Sequence, residues 1–193
     1  MALTPSTMLA LGTPAPAFTL TNAVDGQSVS LADFADHPAL LVMFICNHCP
    51  YVKHVQSELG RVAADFLPRN LAVVAINSNS LEEHPEDGPE YMSELARSNG
   101  WTFPFLFDET QEVAKSYLAA CTPDFFLFDR DQLLVYRGQL DDSRPSTDIP
   151  VTGLDLRVAI ESVLEGESVP EEQKPSIGCN IKWEPGNAPD YSK

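Results

Sequence analysis

The stretch ALLVMFICNHCPYVKHVQSELGRVAADFLPRNLAVVAI, residues 39–76, decides the fold. Residues 39–45 form an unbroken apolar run rich in branched side chains, which predicts a β-strand buried on both faces. From Pro50 to Leu67 the apolar residues recur at helical spacing, and Pro50 suits the first turn of a helix. Residues 71–76 repeat the buried-strand pattern. This order predicts two parallel strands joined by a right-handed helical crossover.

The flanking segments extend this unit into a mixed sheet. A turn at Asp25–Gly26 separates two short extended pieces, and the segment DFFLFDRDQLLVYRGQL, residues 124–140, predicts a β-hairpin. A further short strand is predicted at residues 103–107, and further helices at residues 89–98, 110–118 and 153–164. The predicted fold class is therefore α/β, with a mixed central β-sheet flanked by helices on both faces.

The end of the chain differs from the rest. Four prolines follow Glu165, which predicts an extended tail without regular structure. We therefore expect one domain over residues 1–165 and a C-terminal tail over residues 166–193 packed on it. A chain of 193 residues is long enough for one domain with a substantial core.

The charge balance excludes several classes of partner. The chain has 12 Lys and Arg against 28 Asp and Glu, a net charge of -16. Nucleic acids and anionic membrane surfaces require a basic face, so neither is an expected partner. No apolar run reaches the roughly 20 residues of a membrane span, and the first residues lack the basic segment of a signal peptide. We expect a cytoplasmic protein, in which four cysteines indicate catalysis or metal binding.

The two cysteines of CNHC, Cys46 and Cys49, lie where the first buried strand passes into the helix. Unpaired N–H groups and the partial positive charge of a helix N-terminus favour a thiolate, which is the reactive form of cysteine. Cys46 is therefore the expected attacking sulfur. Cys49, one turn on and further inside, is the expected resolving partner, at a spacing that suits a disulfide.

Four motifs carry a resemblance to a known family. PAPAFTLTNAVDGQSVSLADF resembles the opening of redoxins, and the combination of CNHCPYV, CTPDFFLFD and SIGCNIKW resembles a peroxiredoxin-like, AhpC/TSA-redoxin branch of the thioredoxin superfamily. The resemblance covers almost the whole chain. It implies a thioredoxin-like fold with the N-terminal extension and mid-chain insertion of redoxins.

The residues between the two cysteines are expected to tune them. His48 stands immediately before the second cysteine, as in the disulfide oxidant DsbA and in protein disulfide isomerase, and Asn47 is its neighbour. A nearby imidazolium or ring N–H would favour the Cys46 thiolate, which would make the pair a better oxidant than thioredoxin. The alternative is a solvated histidine with no influence on Cys46.

The resemblance also assigns a place to Thr122 and Pro123. The superfamily positions a cis-proline opposite its Cys-x-x-Cys unit, and Pro123 matches that position. The backbone before it would present an open edge for a substrate chain, with Thr122 facing the substrate. Cys121 should then lie near the site, either as an additional redox thiol or as a small buried side chain.

Cys179 lies far along the tail, yet the tail is long enough to bring it back. Fourteen extended residues after Glu165 reach up to roughly 46 Å, whereas the preceding helix covers only about 18 Å. Ile181 and Trp183 offer apolar anchors. We expect the tail to cover the site, so that Cys179 exchanges with the Cys46–Cys49 pair or with Cys121. The alternative is a structural thiol.

The expected function is thiol–disulfide exchange, and peroxide reduction is the nearest alternative. Peroxiredoxins carry a Pro-x-x-x-(Thr/Ser)-x-x-Cys signature. If Cys49 is taken as the cysteine of this signature, the threonine position holds Cys46 and the proline position holds Val42. If Cys46 is taken instead, these positions hold Met43 and Ala39. The chain therefore lacks the hydroxyl and the proline that organise peroxide.

Two other classes of function remain open. The cysteines and His48 could form a metal-binding module, although no second Cys-x-x-Cys at zinc-ribbon spacing supports it, and we expect no metal. The chain could also be an inert interaction protein on a thioredoxin scaffold. The absence of a glycine-rich phosphate loop predicts no organic cofactor. The expected partners are disulfide- or thiol-bearing proteins or low-molecular-weight thiols, together with an external dithiol reductant.

Overall fold

The computed structural model describes residues 3–192. Met1, Ala2 and Lys193, which the predicted domain and tail include, lie outside the described residues. The strands are β1 (Leu3–Pro5), β2 (Thr19–Asn22), β3 (Ser28–Ser30), β4 (Ala39–Phe44), β5 (Leu71–Asn77), β6 (Phe105–Phe107), β7 (Cys121–Thr122), β8 (Asp124–Phe128), β9 (Leu134–Gly138) and β10 (Ile177–Asn180). The helices are α1 (Pro50–Phe66), α2 (Pro89–Ser98), α3 (Glu112–Ser116) and α4 (Leu154–Glu165).

Seven strands form the central sheet in the order β3-β2-β6-β5-β4-β8-β9. Strand β5 pairs in parallel with β4 and with β6, whereas the other neighbours are antiparallel. The predicted strand–helix–strand unit is confirmed as β4, α1 and β5, and the predicted hairpin is confirmed as β8 and β9. The sheet is therefore mixed, as the sequence predicted.

Strand β4 lies in the middle of this sheet, and all six of its residues are buried. Its side chains alternate between two apolar clusters, with Leu41 and Met43 on the face covered by α1, α2 and α4. Leu40, Val42 and Phe44 point to the opposite face, where α3 packs. Because helices cover both faces of the sheet, every residue of β4 is buried, and its sequence is an unbroken apolar run.

A second, three-stranded sheet has the order β1-β10-β7. The tail was predicted to lack regular structure, and that prediction is wrong for residues 177–180, which form β10. These residues lie between Pro175 and Pro185, and both of their edges find antiparallel partners in β1 and β7. Such pairing satisfies the backbone N–H and C=O groups of an otherwise extended segment.

Within residues 3–192, no helix combines the length and the apolar character that crossing a membrane requires.

Candidate active site

Cys46 and Cys49 lie in the short connection between β4 and α1. Cys49 is the last residue before the helix, which starts at Pro50 as predicted. Both cysteines have a relative exposure of 0%. The expectation that Cys49 lies further inside than Cys46 is therefore wrong, because the rest of the chain covers both sulfurs equally.

Thr122 contacts both sulfurs. Its hydroxyl oxygen is 3.3 Å from Cys46 Sγ, and its carbonyl oxygen accepts a hydrogen bond from the Cys49 thiol at 3.2 Å. The Thr122–Pro123 peptide bond is cis, as the resemblance implied. Strand β8, which starts at Asp124, pairs with β4, so the sheet itself brings this bond opposite the end of β4.

The backbone edge beside Thr122 is occupied by the chain's own tail. Strand β10 pairs antiparallel with β7, and Cys179 stands opposite Thr122. Thr122 is only 3% exposed. The expected open edge and a substrate-facing Thr122 are therefore wrong for this conformation, because β10 takes the place that a substrate chain was expected to take.

The tail places Cys179 beside Cys49. The side chains of Cys46 and Cys179 both donate hydrogen bonds to the Cys49 sulfur, which therefore lies between them. The thiol of Cys121 points instead at the carbonyl oxygen of Pro123, which lies 3.7 Å from its sulfur. All four cysteines are buried, and Cys46, Cys49 and Cys121 are free thiols. The tail does return over the site, as expected, with Ile181 buried as one anchor.

Asp87 is the central site residue that the sequence did not reveal. One of its carboxylate oxygens accepts the backbone N–H groups of Asn47 and His48 at 2.8 and 3.0 Å. The other accepts Nδ2 of Asn79 at 2.8 Å and lies 2.5 Å from Nδ1 of His48. Burial opposes ionisation, yet the hydrogen bonds from His48 and Asn79 hold the pKa of Asp87 below its usual value.

The sequence hid Asp87 within the polar loop of residues 81–89, where acidic residues are ordinary. The available signal was a pair of polar residues, Asn77 and Asn79, directly after a buried strand. Both side-chain amides hold this aspartate: Nδ2 of Asn77 donates to the backbone carbonyl oxygen of Asp87 at 2.7 Å, and Nδ2 of Asn79 donates to its carboxylate.

Asp87 changes the expected role of His48. Nδ1 of His48 is 3.8 Å from Cys46 Sγ but only 2.5 Å from Asp87, so the ring directs that nitrogen mainly to the carboxylate. The ring also stacks on His84, with centroids 3.8 Å apart. Asn47 contributes its backbone N–H, whereas its side-chain oxygen is buried without a hydrogen-bond partner among the described residues.

Of the two thiols, Cys49 has the lower pKa. Burial, the hydrogen bond to Cys49 and the nearby Asp87 carboxylate raise the pKa of Cys46 well above its usual value. The hydrogen bond from Cys46, joined by that from Cys179, lowers the pKa of Cys49 to about 5 against the effect of burial. The expectation that Cys46 carries the lower pKa is therefore wrong in this conformation, because it left out Asp87 and full burial.

An open cleft approaches the pair from the side of His48. Asn47, His48, His84 and Tyr91 line it. Nδ1 of His48 lies 3.8 Å from Cys46 Sγ, so Cys46 lies next to a residue that lines the cleft. Cys49, by contrast, is covered by Thr122 and the tail.

Cys46, His48 and Asp87 also bring three possible metal ligands within 4.8 Å of one another. They fit a metal poorly, because both oxygens of Asp87 already accept hydrogen bonds from N–H donors. A metal would have to displace those donors from a buried carboxylate.

The comparison with known families decides where the chain belongs. The sequence model of the AhpC/TSA family matches residues 11–137, which include β4, the CNHC unit, α1 and the cis-proline. The chain belongs to the AhpC/TSA family. This confirms the resemblance to a redoxin branch of the thioredoxin superfamily.

Two similar proteins place this AhpC/TSA chain among its relatives. A Mycobacterium tuberculosis (strain H37Rv) protein named "Putative peroxiredoxin Rv2521" is 31% identical over 115 residues, which cover 60% of this chain and 68% of that protein. A crystal structure of an uncharacterized conserved protein from Geobacillus kaustophilus superposes with a TM-score of 0.94 at 59% identity, covering 96% of this chain and 98% of that one.

A more distant structure shows the same fold. The thiol:disulfide interchange protein, a thioredoxin family protein, from Chlorobium tepidum superposes with a TM-score of 0.62 at 18% identity. The match covers 81% of this chain and 99% of that one. The AhpC/TSA chain therefore has a thioredoxin-like fold, and its family indicates redox activity towards thiols or disulfides.

Proposed function

We propose that the protein is a thiol–disulfide oxidoreductase in which Cys46 and Cys49 form the redox pair. One observation carries the proposal: the two sulfurs contact each other and are both held by Thr122, directly before cis Pro123. Two thiols in contact can form a disulfide with little rearrangement of the chain.

Cys46 is the proposed attacking sulfur because it lies next to His48, which lines the cleft, whereas Cys49 is covered by Thr122 and Cys179. As the Cys46 sulfur attacks a substrate disulfide, the Cys49 thiolate takes up the Cys46 proton, and one substrate thiolate leaves. That thiolate then takes the proton from Cys49, which attacks Cys46 and releases the second half of the substrate. Two protein thiols are oxidised and one substrate disulfide is reduced. An external dithiol restores the pair, and the same steps run in reverse oxidise a substrate dithiol.

A test follows from the different positions of the two sulfurs. Treated with Ellman's reagent, the Cys49→Ser variant should keep a stable mixed disulfide at Cys46, because the resolving thiol is gone. The wild type should instead release both halves of the reagent and retain a Cys46–Cys49 disulfide. Peptide mapping by mass spectrometry locates each bond.

The matched control is Cys46→Ser, in which Cys49 should react more slowly with the reagent because Thr122 and the tail cover it. If Cys49 in Cys46→Ser reacts as fast as Cys46 in Cys49→Ser, the assigned roles are reversed. If the oxidised wild type contains no Cys46–Cys49 disulfide, the proposed function is wrong.

Peroxide reduction is the second candidate, and one contact favours it. The sequence lacks the hydroxyl of the peroxiredoxin signature, yet the Thr122 hydroxyl lies 3.3 Å from Cys46 Sγ and is supplied from another part of the chain. If this hydroxyl orients peroxide, the wild type should consume hydrogen peroxide in the presence of a dithiol reductant. Thr122→Val should then lose peroxide consumption while it still forms the mixed disulfide with Ellman's reagent.

A further inference from the structure

We propose that Cys179 is a third catalytic thiol, which exchanges with the Cys46–Cys49 disulfide by attacking Cys49. The proposal deepens the function proposed above and rests on it. It would make the C-terminal tail a built-in substrate of the redox pair.

The backbone of β10 is arranged as a bound substrate chain would be. It lies antiparallel to β7, the strand that precedes cis Pro123, with Cys179 opposite Thr122. Strand β1 pairs with its other edge, where Leu3 stands opposite Cys179. Peptides that add a strand to an exposed edge are bound by the same main-chain hydrogen bonds.

Gly178 allows this close approach. A Cβ atom at Gly178 would lie only 2.0 Å from the carbonyl oxygen of Thr122, so no larger residue fits without moving the strand. The hydroxyl of Ser176 donates to the carbonyl oxygen of Pro123 at 2.6 Å, and the N–H of Ile181 donates to the carbonyl oxygen of Ala120 at 3.0 Å. These contacts hold both ends of β10 and fix Cys179 at the site.

Three sulfurs therefore form a continuous contact in which Cys49 is central. It contacts Cys46 on one side and Cys179 on the other. When Cys46 and Cys49 are joined, the Cys179 thiolate can attack the Cys49 sulfur. The Cys49–Cys179 bond forms, the Cys46–Cys49 bond breaks, and Cys46 leaves as a thiolate that takes up the proton lost by Cys179. No external oxidant is consumed in this step.

When Cys49 is oxidised, the surroundings of Cys179 change so that its pKa falls, which favours the thiolate that attacks. Burial and the hydrogen bond to Cys49 raise the pKa of Cys179 to about 12 in the reduced protein. Disulfide formation at Cys49 removes the second of these causes. The positive charge of Lys182, which lowers the pKa of Cys179, remains.

The first experiment uses oxidised glutathione on the Cys46→Ser variant. Glutathione should form a mixed disulfide with Cys49, and Cys179 should displace it, leaving a Cys49–Cys179 disulfide. The double variant Cys46→Ser/Cys121→Ser should give the same product. Cys46→Ser/Cys179→Ser should instead keep glutathione on Cys49. Peptide mapping after acid quenching identifies each product.

The wild type supplies a measurement that does not depend on a variant's folding. After oxidation, its peptides should contain both the Cys46–Cys49 and the Cys49–Cys179 bond. If the wild type contains Cys46–Cys49 alone and Cys46→Ser retains glutathione, the third thiol is overturned while the proposed function stands. If neither the wild type nor Cys179→Ser forms the Cys46–Cys49 disulfide, the proposed function itself fails.

Gly178→Ala provides an independent test that leaves every cysteine in place. Its methyl group should displace β10, so Cys46–Cys49 should form while Cys49–Cys179 is lost. Glu171→Ala, at an exposed position of the same tail, is the matched control and should form both bonds. Undiminished Cys49–Cys179 in Gly178→Ala would contradict the role given to the β10 pairing.

Discussion

Asp87 shows how a single buried carboxylate organises the region around Cys46 and Cys49. Its two oxygens accept hydrogen bonds from the backbone of the CNHC segment and from Asn79, and one lies against His48. The same negative charge raises the pKa of Cys46. Asp87 therefore holds the CNHC segment in place and also opposes ionisation of the Cys46 thiol in that segment.

Replacing Asp87 by asparagine should lower the pKa of Cys46, because the negative charge is removed while the side-chain shape is kept. The variant should also lose about 1–3 kcal/mol of unfolding free energy, since the new amide group faces donors rather than acceptors. Titration of the thiolate ultraviolet absorbance in a Cys49→Ser background measures the pKa of Cys46, and urea unfolding measures the stability.

The neighbouring substitution Glu86→Gln is the control for Asp87→Asn, because the Glu86 side chain is about half exposed. It should leave the Cys46 titration unchanged. A rise in the pKa of Cys46 in Asp87→Asn would contradict the assignment of the Asp87 carboxylate as a cause of its raised pKa.

Asp124 makes the stability of the fold dependent on pH. It is fully buried, it accepts a hydrogen bond from Ser6, and its Oδ2 has no partner among the described residues. Burial raises its pKa from 3.8 to about 7. Between these pH values the native state holds a proton that the unfolded state has released, so the contribution of Asp124 to stability falls as the pH rises from about 4 to about 7.

Asp124→Asn should therefore remove a pH-dependent loss of up to about 4 kcal/mol. As the pH rises from 5 to 8, Asp124→Asn should gain resistance to urea relative to the wild type, because the variant lacks this loss. Asp36→Asn, at an exposed position, is the control and should behave as the wild type. An equal pH difference in Asp124→Asn and the wild type would contradict the assignment.

Elements differ in how far the sequence predicts them, and the reason is physical. Strand β4 and helix α1 have patterns set by their own burial, so the position of CNHC between them could be predicted from periodicity alone. Strands β7 and β10 are two and four residues long, and they exist because each pairs with a distant partner. No local pattern reports such pairing, and this is why the covered edge at Thr122 and the network around Asp87 were not predicted.

The tail is held by β9 as well as by β7, and Gly138 is the point of closest approach. A Cβ atom there would lie 2.5 Å from the carbonyl oxygen of Lys174, which accepts the N–H of Gln139 at 3.0 Å. Gly138→Ala should displace this part of the tail at a loss of about 1–3 kcal/mol. Hydrogen exchange of the Gln139 amide should become faster, and so should alkylation of Cys49.

Ser168→Ala, at an exposed tail position, provides the comparison for Gly138→Ala and should change neither rate. Faster exchange at Gln139 without faster alkylation of Cys49 would mean that the segment around Lys174 moves independently of β10. The covering of Cys46 and Cys49 would then depend on β10 alone.

The net charge of -16 acts on the whole molecule and should select among disulfide substrates. A strongly negative surface repels anionic reactants and attracts cationic ones, and added salt screens both effects. At low ionic strength the wild type should therefore reduce cystamine, a dication, faster than oxidised glutathione, which is an anion. The ratio of the two rates should approach that of the intrinsic reactivities as salt is added. Hydroxyethyl disulfide, which is uncharged, should show little dependence on salt. A preference for glutathione that weakens with salt would reveal a local basic approach to the cleft that overrides the charge of the molecule.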